Sequence, residues 1–205
     1  MLYQKAWVMF NWYLKDTTVR RDYTLGLIIN IILMIFSLYI GFQFGSKENV
    51  KIPLGKIKEK TIAFQAQAAR HTVHVINNNV KVGMNLTFLS ALPLYGPVIT
   101  NWKLGSSFAI LSKSLVNGIN YHSFILIMLL LPHGIPEYAG FILMENSVTT
   151  LQFSFAGFLC GRNRQWKPIL HCSIVSFIIG LIILSVAAVV ECYITPTIAR
   201  ILVNQ

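Results

Sequence analysis

Three of the seven carboxylates in this chain lie inside or at the ends of long apolar runs. They are Glu137, Glu145 and Glu191, and His133 precedes the first of them in the segment Pro132-His-Gly-Ile-Pro-Glu137. A spacing of four residues puts His133 and Glu137 on one face of a helix. Because an apolar environment tolerates a carboxylate only when it is paired, hydrogen-bonded or protonated, these positions need a physical explanation.

Imidazole and carboxylate groups in such a place are suited to three different roles. One histidine with two carboxylates suits a hydrolytic Zn²⁺ centre, which makes His133, Glu137 and Glu191 candidate metal ligands and catalytic residues. A desolvated carboxylate can instead carry a proton or couple the transport of a cation. The third role is structural, as a hydrogen-bonded cluster that fastens helices together. The spacing His-x-x-x-Glu is not the zinc-protease signature His-Glu-x-x-His, so all three roles stay open.

The elements that position these residues are long apolar runs separated by polar connections. The chain has 205 residues, of which 55% are hydrophobic and 12% are charged, about half the charged share of a soluble domain. A helix of about twenty apolar residues crosses the roughly 30 Å hydrocarbon core of a bilayer. We expect an all-α, polytopic membrane bundle in one domain, 1–205. Its five or so spans are expected near residues 25–44, 82–98, 113–131, 137–160 and 169–193.

Polar segments precede and separate these spans. Residues 1–24 combine aromatic and basic side chains, which is typical of a helix lying at the membrane interface. Residues 46–81 form a polar section with an amphipathic helix, and the three asparagines at 77–79 are expected to end it. The prolines within residues 132–136 predict a turn between the third and fourth spans.

Counting spans assigns every connection to one of two membrane faces. With five spans, His133, Glu137 and Glu191 reach the same face as Asn78 and Asn79. The two asparagines are therefore expected to line a site for a substrate. This assignment holds for either orientation of the chain. The opposite face carries its basic residues in short connections next to span ends, which favours a cytoplasmic location for that face.

The excess of basic residues bears on the partners of the chain. Lysine and arginine outnumber aspartate and glutamate by 17 to 7. They lie in the polar connections and form no stripe with interleaved aromatics, which favours lipid headgroups over nucleic acid as their partners. The sequence has no glycine-rich phosphate loop, so nucleotide hydrolysis would need another subunit.

The candidate residues lie within two recognisable motifs, Leu131-Pro-His-Gly-Ile-Pro-Glu-Tyr-Ala139 and Ala188-Val-Val-Glu-Cys-Tyr-Ile-Thr-Pro196. They resemble the Pro-His-Gly-x-x-Glu-hydrophobic-x-Ala and Ala-x-x-Glu-x-x-x-Thr-Pro signatures of the stage II sporulation protein M family. The pair Asn78-Asn79 is similar to the paired asparagine of that family before its second span. The resemblance covers about residues 57–203. The segment 144–147 departs from the small-residue helix usual in the family.

The resemblance implies a setting for this protein. Members of the family occur in sporulation engulfment machinery that remodels peptidoglycan. They also occur in gene clusters for circular bacteriocins, where a member of about this size accompanies an ABC-type ATPase. A short chain with the full histidine and glutamate set is closer to the second group. The resemblance therefore implies a peptide substrate, with leader cleavage, cyclisation or secretion as the process and an ABC-type ATPase as partner.

Alternatives to this function follow from the same resemblance. One is a non-catalytic scaffold of a peptidoglycan-remodelling or sporulation-type complex. Another is an immunity or transport component that protects cells from the bacteriocin. The richness in isoleucine, asparagine and lysine fits the plasma membrane of a low-GC Gram-positive bacterium. A homo-oligomer is compatible with each of these functions.

Overall fold

The computed structural model describes residues 16–44, 68–92, 98, 102 and 121–203. All regular structure in those ranges is helical, which confirms the predicted all-α class for this part of the chain. Four long helices form it: α1 (Thr17–Phe44), α2 (Ala68–Ser90), α3 (Tyr121–Leu159) and α4 (Trp166–Val189). A π-helical turn, Val190–Ile194, follows α4 directly, and α5 (Thr195–Val203) continues from it.

Helices α3 and α4 are antiparallel and share the largest interface in the described bundle. Two glycines make their close approach possible. A Cβ added at Gly180 would lie 2.7 Å from the carbonyl oxygen of Gly140 and 3.1 Å from the backbone nitrogen of Met144. Since backbone atoms cannot move aside as a flexible side chain can, glycine is required there. Small residues at such crossings are typical of helices packed in membranes.

The other two helices pack against this pair. Helix α1 lies mainly on α3, and α2 contacts both α3 and α4. Gly83 of α2 faces a small hydrophobic cluster that contains Leu86, Met144 and Leu184. Gly26 of α1 lies so close to α3 that an added Cβ would come within 2.5 Å of the side-chain oxygen of Asn146. Small residues therefore set the spacing at each of these contacts.

The interior of the described bundle is polar and its surface is apolar. Among the described residues, 15 buried ones are polar or charged and 11 are hydrophobic, whereas 28 large hydrophobic side chains are exposed. Ile32 and Ile35 of α1 and Ile174 and Ile182 of α4 are each 57% exposed. In a water-soluble domain, buried positions are mainly apolar and buried polar groups are the exception. The described surface therefore suits an apolar solvent.

One stretch of the described chain, Trp166–Ile198, is long and apolar enough to cross a membrane by length and composition. It comprises α4, the π turn and the beginning of α5. The other predicted spans map differently. Residues 25–44 lie within α1, and residues 137–159 lie within α3. Residues 93–120, apart from Val98 and Trp102, lie outside the described residues. Residues 1–15 and 45–67, which include most of the polar section 46–81, also lie outside them.

The predicted turn over residues 132–136 is absent from the structure, which has one continuous helix there. Pro132 and Pro136 both lie inside α3. The ring of proline fixes φ near the helical value, and each proline costs one backbone hydrogen bond. Where water does not compete for the released carbonyls, neighbouring groups can satisfy them and the helix can persist. The separation of the spans predicted near 113–131 and 137–160 is therefore wrong within residues 121–159.

The predicted helix end at residues 77–79 is also wrong, because α2 runs through it to Ser90. Asparagine lowers helix propensity by less than about 1 kcal/mol per residue, which tertiary packing easily outweighs. The packing face of α2 contains Thr72, Asn79, Gly83 and Leu86, all of which are buried. Their spacing follows the helical repeat without interruption.

A buried ion pair joins α1 to the connection between α3 and α4. Arg164 Nη1 lies 2.8 Å from Asp22 Oδ2, and the two side chains are only 2% and 4% exposed. Ser154 donates a hydrogen bond of 3.0 Å to the same carboxylate oxygen. Gly157 leaves room for the guanidinium, because a Cβ at that position would collide with Arg164. Three segments of the chain thus meet at one carboxylate.

The variant Asp22→Asn should destabilise the fold strongly, because Arg164 would remain buried without its counter-charge. Breaking a buried pair in this way typically costs about 3–5 kcal/mol. The double variant Asp22→Asn/Arg164→Gln should recover part of that loss, since no uncompensated charge remains. Thermal unfolding in detergent, followed by size-exclusion recovery, measures the difference. Asp16→Asn is the matched control, because asparagine also caps a helix well. A wild-type midpoint for Asp22→Asn would contradict this role of the pair.

Candidate functional site

His133 and Glu137 lie one turn apart on α3, at the end of the bundle opposite the Asp22–Arg164 pair. His133 Nδ1 is 3.2 Å from the hydroxyl oxygen of Thr195, the first residue of α5. The tautomer of the imidazole decides which of the two atoms donates the hydrogen bond. Through this contact, the first sequence motif reaches the end of the second.

Glu191 lies in the π turn, close enough to Glu137 for the two carboxylates to interact electrostatically. The next residue, Cys192, is buried and hydrogen-bonded to Thr72 of α2. The charge of Glu191 also acts on that thiol. Residues of α2, α3 and the π turn therefore meet at this end of the bundle. We call the group formed by His133, Glu137, Glu191 and Thr195 the carboxylate site.

The π turn is what aligns the second motif with the first. The backbone N–H of Thr195 donates to the carbonyl of Val190, five residues earlier, where an α-helix would use the residue four earlier. Pro196 follows, and a proline can neither donate to the carbonyl of Cys192 nor approach it closely. Widening the preceding turn relieves that clash. One additional residue rotates all that follows by about 100°, and Thr195 then faces His133. Such turns are frequent at functional sites.

The structure separates the two asparagines that were expected to line the site. Asn79 is buried on the face of α2 that contacts α3 and α4, and Asn78 is exposed on the outside. The side-chain nitrogen of Asn79 has no hydrogen-bond acceptor among the described residues. A buried amide donor without an acceptor costs about 1–3 kcal/mol. Asn79 thus has an unused donor inside the bundle, two turns along its face from Thr72.

The metal site expected from His133, Glu137 and Glu191 stays a prediction, because no metal-binding group forms among the described residues. Within residues 16–44, 68–92 and 121–203, no three histidine, cysteine, aspartate or glutamate side chains converge as metal ligands would. The ring of His133 is engaged with Thr195 on its Nδ1 side. A divalent ion such as Zn²⁺ needs three protein ligands about 2 Å from one point.

A second polar cluster lies in the middle of the bundle, where Glu145 was singled out in the sequence without an assigned role. The hydroxyl of Ser90 donates a hydrogen bond of 3.2 Å to Glu145 Oε1. On the other side of α3, Asn30 of α1 donates to the hydroxyl of Thr149 at 3.3 Å. Asn146 donates to the backbone carbonyl of Tyr23 at 3.4 Å. These bonds connect α3 with both α1 and α2.

Two features of this interior were missed from the sequence. The polar residues of α3 recur at helical spacing, at positions 145, 146, 149, 150 and 154, and all five are buried. That spacing was the available signal, because polar residues in an apolar helix favour the protein interior. The Asp22–Arg164 pair had no such signal. Both residues lie next to span ends, where charges usually contact headgroups and water.

No protein family, curated protein or solved structure matches this chain. The resemblance to the stage II sporulation protein M family therefore rests on the motifs themselves. What the structure adds is the relation between them. The residues of the first motif contact those of the second through the His133–Thr195 hydrogen bond.

The hydrogen bond between His133 and Thr195 predicts an energetic coupling between α3 and α5. Thr195→Val removes the hydroxyl at nearly constant volume and should cost about 0.5–1.5 kcal/mol. Combined with His133→Ala, it should cost less than the sum of the single variants. Thermal unfolding of the four proteins in detergent measures this cycle. Thr197→Val is the matched control, since the hydroxyl of Thr197 bonds only within its own helix segment, to Tyr193. Strict additivity would mean that the two side chains do not interact.

Proposed function

We propose that this chain is a multi-pass protein of the plasma membrane that acts on a peptide during the maturation or secretion of a circular bacteriocin. The observation that carries the membrane part is the polar interior beneath an apolar surface. The peptide part rests on the carboxylate site and on the resemblance of its two motifs. The proposed membrane placement and the proposed peptide chemistry are separable, and each has its own test.

The length and surface of the helices support several membrane crossings. Helix α1 has 28 residues, and at about 1.5 Å per residue it is longer than the hydrocarbon core is thick. Its exposed residues include Leu25, Ile28, Ile32 and Phe36. Trp166–Ile198 meets the requirements of a span by itself. Because α3 packs against both of these helices, it would cross the membrane with them.

The carboxylate site has the groups needed to hold a cationic peptide. Glu137 and Glu191 together concentrate negative charge, and desolvation strengthens their attraction for an ammonium or guanidinium group. Asn79 supplies a buried amide donor without an acceptor among the described residues. Such a donor suits a peptide carbonyl. The combination favours a peptide chain over a small apolar molecule.

Peptide-bond cleavage at this site would need only water and the two carboxylates. One carboxylate would accept a proton from the attacking water, and the other, protonated, would donate a proton to the leaving amine. His133, held by Thr195, would contribute a third proton donor or acceptor beside Glu137. Export of the product would draw its energy from an ABC-type ATPase. Cyclisation would be a separate condensation, in which the amine released by cleavage attacks the C-terminal carboxyl group of the same peptide and one water leaves, with ATP hydrolysis by the partner ATPase as the energy source.

The scaffold is the main rival, and one observation favours it. Hydrogen bonds such as His133–Thr195 and Ser90–Glu145 connect helices across the whole bundle. A cluster that only fastens helices would need the same bonds. An immunity protein is the second rival, and it would protect cells without changing the mass of the peptide.

We expect Glu137→Gln and Glu191→Gln to remain folded and to leave the peptide unprocessed. Each retains the size of the side chain and removes its charge and its capacity to accept a proton. Mass spectrometry of the peptide from producing cells should show that the mature product falls at least tenfold, a loss typical of a missing acid or base. Asn79→Ala should lower the yield further than Asn78→Ala, which alters an exposed position.

The same variants distinguish the rivals. A scaffold predicts that Glu137→Gln unfolds in detergent and that product loss follows the amount of folded protein. Immunity predicts full-length, correctly matured peptide together with cells that have become sensitive to it. Normal processing by both folded glutamate variants would remove the carboxylate site from the mechanism.

If the chemistry uses only the side chains of the carboxylate site, the purified protein should contain no stoichiometric zinc, iron or manganese. Elemental analysis after purification without chelator measures this directly. The expected content is well below one ion per chain, and Glu137→Gln should leave it unchanged. One zinc per chain in the wild type, lost in Glu137→Gln, would contradict metal-free proton transfer and restore the metal mechanism.

A further inference from the structure

At the end of the bundle that holds the Asp22–Arg164 pair, the carboxylates of Asp16 and Asp22 bind groups within the fold. Asp16 accepts hydrogen bonds from the backbone nitrogen and the hydroxyl of Thr18, at 2.9 and 2.6 Å, and so caps α1. These bonds lower the pKa of Asp16 below its usual value, and the bond from the Thr18 hydroxyl has the largest effect. Asp22 is buried against Arg164. Asp22 also pairs with the exposed Arg21 at 3.2 Å, and neither carboxylate pairs with another exposed cation among the described residues of this end.

Four cationic side chains are exposed at the same end, and one of them, Arg21 of α1, pairs with Asp22. The other three are Arg20 of α1, Arg162 of the α3–α4 connection and Lys167 of α4. None of the three forms an ion pair with a described residue. The two arginines of the α3–α4 connection differ in their exposure to the surface. Gly161, two residues after the end of α3, has a φ of +75°. In the irregular segment that follows, Arg164 is buried and Arg162 is exposed. One arginine thus holds the fold, and the other is presented outward.

Three aromatic side chains lie in the same part of the chain as Arg162 and Lys167. Trp166, at the start of α4, contacts Phe158 edge-on with ring centroids 5.8 Å apart, and Phe155 lies 6.5 Å away. Phe155 and Phe158 are about half exposed. Tryptophan and other aromatics beside basic residues are typical of the membrane–water interface, where the rings lie at the level of the headgroups.

We infer that this end of the bundle binds the phosphates of anionic phospholipids through Arg20, Arg162 and Lys167, and that it faces the cytoplasm. We call it the basic end. The inference rests on the membrane placement in the proposed function but not on its peptide chemistry. Exposed cations with no counter-charge in the described fold complement an anionic leaflet, and their location in or beside the short α3–α4 connection and near the start of α1 agrees with retention on the cytoplasmic side. The carboxylate site, at the opposite end, then opens towards the outside of the cell.

Lipid binding tests the first half of the inference. Native mass spectrometry of the detergent-purified chain, titrated with phosphatidylglycerol or phosphatidylcholine, measures retention of each lipid. The variant Arg162→Gln/Lys167→Gln should bind phosphatidylglycerol about twenty-fivefold more weakly, roughly fivefold for each cation removed. Binding of phosphatidylcholine should not change. Arg70→Gln/Lys81→Gln is the matched control, because it removes two exposed charges from α2.

Equal binding of phosphatidylglycerol by the basic-end variant and the control would overturn the lipid assignment. So would a variant that keeps its lipid but loses co-purification with an ATPase subunit, since the surface would then bind protein. Salt supplies a second measurement, because roughly 0.5 M salt should weaken wild-type binding and hardly affect the variant.

Labelling of a native cysteine tests the second half of the inference, the cytoplasmic location of the basic end. Cys160, next to the basic end, is exposed, whereas Cys172 and Cys192 are buried, and the chain has no other cysteine. A membrane-impermeant maleimide should therefore label the wild type only after cells are permeabilised. Cys160→Ser should abolish that labelling. Labelling of intact cells would place the basic end outside and overturn the orientation, whatever the outcome for peptide processing.

Discussion

The buried pair of Asp22 and Arg164 fixes the level at which α1 lies against the rest of the bundle. With these two charges aligned, the following turns of α1 reach their own partners. The hydroxyl of Tyr23 lies 3.3 Å from that of Ser176 on α4, and Asn30 reaches Thr149 on α3. A shift of one residue would leave the charges uncompensated, at a cost greater than any single apolar contact contributes. Apolar packing alone would not define this register.

The two ends of the bundle use ionisable residues in opposite ways. At one end, Asp22 and Arg164 neutralise each other inside the fold. At the other, the carboxyl groups of Glu137 and Glu191 lie close enough to interact electrostatically. Helices α3 and α4 join the two ends of the bundle, and the glycines at their crossing allow the helices to pack closely.

Individual residues show how far the sequence predicts the candidate site. The spacing of His133 and Glu137 follows directly from the helical repeat, and α3 presents them one turn apart. The separation of Asn78 from Asn79 could not be predicted, because adjacent helical positions differ by about 100° and only the packing of α2 selects the inner one. The hydrogen bond from His133 to Thr195 depends on the π turn, which a proline permits but does not require.

The sequence by itself determined the helical class, because long apolar runs with few charges satisfy their backbone hydrogen bonds best within helices. It also indicated that Glu145, inside an apolar run, needs polar partners in the interior, where it is 1% exposed. Only the tertiary structure decided those partners. Arg164 and Arg162 have the same chemistry and nearly the same position in the chain, yet one lies in the interior and the other outside. Arg164 is buried because Asp22 of α1 supplies its counter-charge and Gly157 of α3 leaves room for its guanidinium. These two helices come together only in the tertiary structure.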